Sequence, residues 1–206
     1  MIVAVEGPSA AGKTTWCRRQ AAPIVPEYVA TGQEPGPGDL LARAAYWGDV
    51  NSRRWQAALD LERLHGTAVC DSDPLKLHYA WSLARIGRGA PAEVAAEARV
   101  ARKAFERGAL GLADLVLVRI PAPADLEQQK STDATRRRRA FDLHRLLAEP
   151  LREWYQAVER LDPARVVWEF PDDGLAGLPA VDPRSDRSDP ALLDALLAGL
   201  PPLLAR

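Results

Sequence analysis

The 206-residue chain holds only two cysteines, Cys17 and Cys70, and three histidines. Two thiols are too few for a disulfide scaffold, and no Cys or His spacing matches a metal site. Both thiols are expected to be buried packing groups in a reducing compartment. No apolar run approaches the roughly 18 residues that a membrane span needs. The start of the chain, Met1 to Glu6, lacks the basic stretch and cleavage site of a secretory leader. It reads as a buried strand, and the expectation is a cytoplasmic protein with no membrane partner. Neither sign of charge is in excess, with 27 Lys and Arg against 28 Asp and Glu. Electrostatic nucleic-acid binders carry a clear basic surplus, so the balance argues against that partner. Lysine is scarce as well: Lys13, Lys76, Lys103 and Lys130 are the whole set. Beside so much Ala and Leu, the Arg bias reads as genome composition, and it makes each lysine worth placing.

What is present is an alternation of short apolar runs and helical patterns. Strands are expected at 2–5, 24–29, 67–70, 115–120 and 165–168. Helices are expected at 14–20, 39–47, 51–65, 91–107 and 191–198, with a charged helical stretch over 133–161 interrupted near Pro150. Pro74 suits the first turn of another helix, capped by Ser72 or Asp73. The last helix is amphipathic and is expected to pack on the sheet. Residues 171–187 form a loop, either a flexible tail or a contact for a nucleotide base. Strands that alternate with helices predict an α/β fold: a three-layer α/β/α domain over residues 1–206 with a five-stranded parallel sheet.

Gly7-Pro8-Ser9-Ala10-Ala11-Gly12-Lys13-Thr14 matches G-x-x-x-x-G-K-[ST] in full. It follows the first strand and opens a helix, as a phosphate-binding loop must. Backbone N–H groups of Gly7, Ser9, Ala10, Ala11, Gly12, Lys13, Thr14 and Thr15 would wrap the phosphates of ATP. Lys13 would reach the β- and γ-phosphates, and the Thr14 hydroxyl would bind Mg²⁺. The loop alone does not choose between kinase, ATPase and GTPase. A GTPase should also show N-K-x-D, and the chain has none.

With its flanks, Val5-Glu6-Gly7 to Gly12-Lys13-Thr14-Thr15 resembles the E-G-x-x-G-x-G-K-T-T segment of thymidylate kinases and deoxynucleoside kinases. Ser9 stands where those P-loop families often have Asp. Pro26-Glu27 resembles the segment whose glutamate takes the proton of the sugar hydroxyl. Cys70-Asp71-Ser72-Asp73 resembles their acidic-Arg-x motif, with Asp71 as the acidic member and Ser72 in place of the arginine. The resemblance thus leaves Glu27 and Asp71 as alternative bases and gives Asp71 a second role, holding Mg²⁺ through water. Asp73 reads as a helix cap. Leu126, Lys130 and Arg136-Arg137-Arg138-Arg139 resemble the cationic helical lid, here about 126–145. Four successive arginines fan out by about 100° each on a helix. One or two therefore reach phosphate, with Arg136 and Arg138 or Arg139 favoured. The resemblance covers about 1–175 and implies that 171–174 lie near the adenine.

The acceptor region is expected over about 28–65. Aromatics there can stack a flat group and arginines can bind phosphate. Trp47, Arg53, Arg54 and Tyr79 are the candidates, with Trp81 as a further wall. The histidines are expected to be outside the chemistry. The resulting expectation is an ATP- and Mg²⁺-dependent phosphotransferase that acts on a nucleoside, a nucleotide or a similar small hydroxyl or phosphate acceptor. A kinase of a non-nucleoside metabolite or antibiotic, and a regulatory ATPase without an acceptor, are the alternatives. Homodimerisation stays open.

Overall fold

The fold is described by a computed structural model over residues 1–36, 38–121 and 146–203. Its elements in chain order are β1 (Ile2–Glu6), α1 (Lys13–Arg18), β2 (Ile24–Val25), α2 (Leu40–His65), β3 (Ala68–Asp71), α3 (Leu77–Arg85), α4 (Pro91–Glu106), β4 (Leu115–Val118), α5 (Ala148–Leu161), β5 (Val166–Trp168) and α6 (Pro190–Ala198). The five strands are all parallel, in the order β2-β3-β1-β4-β5. Parallel sheets are covered on both faces, which is why β1 is apolar nearly throughout and fully buried. Successive residues then serve opposite faces. Ile2 and Ala4 join Trp55, Phe105, Trp154 and Tyr155 in the larger core. Val3 and Val5 join Trp16, Cys17, Leu117 and Phe170 in the smaller one. Strand order reverses at β1, and open α/β sheets bind ligands outside the carboxyl ends of their strands at such a point.

The expected α/β/α sandwich is therefore present, with several local differences. Residues 40–65 form one continuous helix instead of two, and Gly48 lies inside it. A Cβ on Gly48 would sit 2.3 Å from Val100 Cγ1, so the missing side chain is what lets α4 approach α2. The helix after β3 begins at Leu77, and not at Pro74, because the Asp73 carboxylate closes its own turn by accepting from Leu75 N at 2.9 Å. Strand β2 stops at Val25, where Pro26 can no longer donate to the ladder. Pro150 interrupts nothing among the described residues, since it lies in the first turn of α5 where no N–H is needed. The fully buried Leu193 and Leu196 pack α6 against α4 and α5, not against the sheet.

The stretch after β5 is no tail. Phe170 is buried in the smaller core, Pro171 O accepts from Trp16 Nε1 at 2.9 Å, and Leu175 N donates to Gln20 Oε1 at 3.0 Å. Further on, Arg187 donates to Glu62 and to the fully buried Asp114. No helix among the described residues is long and apolar enough to cross a membrane.

Filling the α2–α4 contact should be costly. Gly48→Ala is expected to lower stability by about 1–3 kcal/mol, as overpacking does. Val100→Ala in the same chain should recover part of that loss, and denaturant melts of the single and double variants will show it.

Candidate active site

A cavity of about 1480 Å³ opens beside the end of β1. Gly7, Ser9, Ala10, Ala11, Gly12, Lys13, Thr14 and Thr15 all line it. Ala10 (φ 75°) and Gly12 (φ 88°) are left-handed, and alternation of hand turns successive N–H groups toward one point, where an anion can sit. A Cβ on Gly7 would lie 2.4 Å from Arg119 O, so the loop can cross the end of β4 only with glycine there. The Lys13 ammonium donates to Gly7 O at 2.8 Å.

Beneath this loop lies Glu6, which is 2% exposed. Its Oε1 accepts from Ser72 Oγ (2.7 Å), Asp73 N (3.0 Å) and Lys76 Nζ (2.9 Å), and His78 Nε2 lies 3.2 Å away. Gly7 N donates to its other oxygen at 3.1 Å. Burial alone would raise this carboxyl's pKa, but Lys76, His78 and Lys13 together hold it well below the usual carboxylate range. Asp73, one shell deeper, goes the other way. Burial raises it despite the pull of His78, and it accepts from Tyr155 OH at 3.1 Å. Asp73 is thus a buried network member as well as a turn-former.

The other expected residues fall in different places. Glu27 lines the cavity, with its side chain 42% exposed and Lys76 Nζ 3.9 Å away. Asp71 lies at the end of β3, paired in register with Val5. It is buried, its Oδ1 has no partner among the described residues, and it is not part of the cavity wall. Trp47 lines the cavity together with Tyr28, edge-on at 5.2 Å. The Tyr28 hydroxyl bonds Tyr46 and Glu34, which steadies this wall. Tyr79 also lines it, whereas Trp81 is core, 6.0 Å from Trp154. Arg54 reaches the cavity, but its guanidinium donates to four backbone carbonyls: Pro26, Asp71, Ser72 and Asp73. It clamps the ends of β2 and β3 together. Arg53 is exposed, pairs with Asp49 at 2.8 Å and stays off the cavity. Lys130, Arg136, Arg138 and Arg139, with the lid, lie outside the described residues. Both cysteines are fully buried, and burial pushes each thiol up to about 12.

Sequence reasoning missed several cavity residues. Lys76 is one of the four lysines, so its rarity was a usable signal. His78 is the second residue of α3, against Glu6. Arg43 and Asn51 were also missed; they share one face of α2 with the expected Trp47 and Arg54 by helical spacing, and all four line the cavity. Glu93 and Glu97, four apart on α4, face them, with Arg43 Nη1 2.5 Å from Glu93 Oε1. Burial pushes the Glu97 carboxyl up to about 7 against the pull of Arg43, and Glu93 adds to the rise. At the opposite end Arg119 lies 5.9 Å from the Phe170 ring, beside Pro171 to Gly174. Among the described residues no three His, Cys, Asp or Glu side chains cluster as a metal site.

No family model matches the chain, and no curated relative matches it in sequence. Solved structures do match. A deoxyadenosine kinase from M. mycoides with the products dCMP and a flexible dCDP aligns with a TM-score of 0.54 and 14% identity. The same kinase with dATP bound aligns with a TM-score of 0.54 and 15% identity. Each alignment covers 81% of this chain and 90% of the other. The chain therefore has the fold of the P-loop deoxynucleoside kinases.

The Glu6 network sets a pH dependence. A carboxyl whose pKa is depressed in the folded state stabilises fully above its unfolded value, and that stability is lost as pH falls through the folded value. Glu6→Gln should cost about 3 kcal/mol at pH 7, as breaking a buried ion pair does. The cost should shrink below the ordinary carboxyl value of 4.5. Chemical denaturation at pH 7 and pH 4 will read the difference.

Proposed function

We propose that this protein is an ATP-dependent phosphotransferase that moves the γ-phosphoryl group to the hydroxyl of a nucleoside. The observation that carries this reading is one cavity with a phosphate-binding loop at one end, a cavity-facing carboxylate beside a lysine, and an aromatic wall beyond. The deoxynucleoside kinase fold, with dATP or dCMP in the neighbours, supports it.

Phosphoryl transfer asks a protein mainly to position its reactants and stabilise charge. The loop N–H groups and Lys13 would hold the β- and γ-phosphates, with the adenine between Arg119 and the 170–174 stretch. Glu27 is the better base: it faces the cavity, and a base must come within hydrogen-bond reach of the acceptor hydroxyl. Lys76 Nζ, 3.9 Å from it, lies where it would stabilise charge on the transferring group. This supplies the cation that Ser72 does not. Ser72 is fully buried, with φ 76° and its hydroxyl committed to Glu6, so that position reaches no ligand. Asp71 fits the metal role: Mg²⁺ would be held by the Thr14 hydroxyl and, through water, by the orphaned Asp71 oxygen. The ion would neutralise charge on the phosphates.

The test incubates the protein with ATP, Mg²⁺ and a panel of nucleosides, nucleoside monophosphates and small alcohols, and follows ADP release. Hydrolysis that ignores every acceptor would sink the kinase reading. Lys13→Ala should abolish turnover and leave the fold unchanged by circular dichroism. Glu27→Gln and Lys76→Met should each lower kcat by about 10²-fold or more, the typical loss of a general base or charge-stabilising group. ATP affinity should stay within a few-fold of the parent in both.

A further inference from the structure

Glu6 Oε1 has more neighbours than it can accept from. A carboxylate offers about four lone-pair directions over its two oxygens, so about two belong to each. Three donors already converge on this one oxygen: Ser72 Oγ, Asp73 N and Lys76 Nζ, none farther than 3.0 Å. A fourth group, His78 Nε2, lies 3.2 Å away and makes no hydrogen bond among the described residues. A buried nitrogen without a partner is rare in native proteins. The His78 ring is buried, 5.9 Å from the Tyr155 ring and 6.2 Å from that of Trp154. The charged and titratable groups around it are Glu6 from β1, Asp73 and Lys76 from the turn before α3, and Tyr155 from α5. Lys13 of α1 acts on the same carboxylate.

The donors differ in freedom. Ser72 and Asp73 are buried in the turn after β3. Lys76 lines the cavity with its side chain 26% exposed, on a flexible four-carbon stem. Its Nζ also lies 3.9 Å from Glu27. Of the three donors, only this one can turn from Glu6 toward the phosphate loop. Its departure alone would leave a buried carboxylate without its paired cation, which is strongly unfavourable. His78 removes that obstacle, because Nε2 of an imidazole donates in the charged form and in one neutral tautomer. The oxygen then keeps three donors, and the ammonium is released.

We infer that His78 is a positioning residue that takes the place of Lys76 on Glu6, so that Lys76 moves between Glu6 at rest and the transferring phosphoryl group during turnover. This inference rests on the phosphotransfer reading above and adds a moving part to it. His78 acts only through Lys76. The buried carboxylate is satisfied in both arrangements, so the exchange leaves the loop after β1 and the start of α3 where they are.

Nitrogen magnetic resonance of the imidazoles tests the exchange without turnover, and three histidines keep the spectrum simple. The probe is a non-hydrolysable ATP analogue with Mg²⁺. On its addition the His78 Nε2 signal should move to that of a hydrogen-bond donor. Lys76→Met should show the moved signal with no nucleotide present. In turnover with the best acceptor of the panel, His78→Phe keeps a ring and removes the donor. It should lower kcat by about tenfold or more, as misplacing a reacting group does, with KM for ATP within about threefold of the parent. His78→Gln, whose amide N–H comes near the place of Nε2, should restore kcat to within about threefold of the parent, since it returns the donor. Lys76→Met joined with His78→Phe should be no slower than Lys76→Met alone, because residues that act as a unit are not additive. Losses that multiply in the double variant overturn the inference. So does a folded His78→Gln that loses tenfold or more, or a His78 signal that neither the analogue nor Lys76→Met moves. The signal and the glutamine variant decide the matter even where His78→Phe fails to fold. A signal that moves in a protein that phosphorylates no acceptor would sink the phosphotransfer reading alone, and phosphate transfer with an unmoved signal would sink this inference alone.

Discussion

Glu6 is a carboxylate removed from water and then surrounded by donors from separate parts of the chain. A lone buried charge is strongly unfavourable, and it becomes tolerable only when geometry and hydrogen bonding are good. Here the loop after β1, the turn after β3 and the start of α3 each contribute to that environment. All three must hold their positions for the charge to be balanced. The carboxylate thus locks the loop after β1 to the start of α3 through one oxygen pair. Lys76 and His78 face the cavity because Glu6 holds them there.

A second constraint comes from Arg54, whose guanidinium binds the ends of β2 and β3 as one unit. Arginine suits this task because its planar fork offers several donors at fixed angles. Glu27 follows Pro26, one of its four acceptors, so the same clamp sets where that carboxylate stands. The two charged hubs divide the labour. Glu6 gathers donors beneath the loop, and Arg54 gathers acceptors beneath the opposite wall. Between them, beside the committed Arg43, Arg54 and Lys76, the side chains of Asn51, Ser82 and Glu97 make no hydrogen bond among the described residues.

The sheet was legible in the sequence because parallel strands buried on both faces must be apolar runs, and the tight loop over 7–13 because its glycines answer to backbone geometry. Local signals failed where tertiary contacts decided the outcome. Gly48 looks like a helix break, and only the proximity of Val100 explains why the helix runs through it. Pro74 looks like a first helical turn, but Asp73 spends its carboxylate on a turn of its own. Arg54 has the composition of a phosphate reader, and nothing local announces that four carbonyls lie within its reach. Asn51 and Glu97 sit on different helices, so no spacing rule joins them. Lys76 was within reach of the sequence alone, through its rarity and its place soon after Asp71.

The contact between Gly48 and Val100 has a consequence beyond packing. Gly48 lies beside Trp47 and near Asn51 on α2, and Val100 lies one turn beyond Glu97 on α4. The separation of these two helices is therefore a gauge for the width of the far end of the cavity, set by the bare Cα of Gly48 against the side chain of Val100. A methyl added at Gly48 or removed from Val100 would resize the opening and leave its polar groups in place. Evolution or design could retune the width of the cavity there independently of the polar groups that line it.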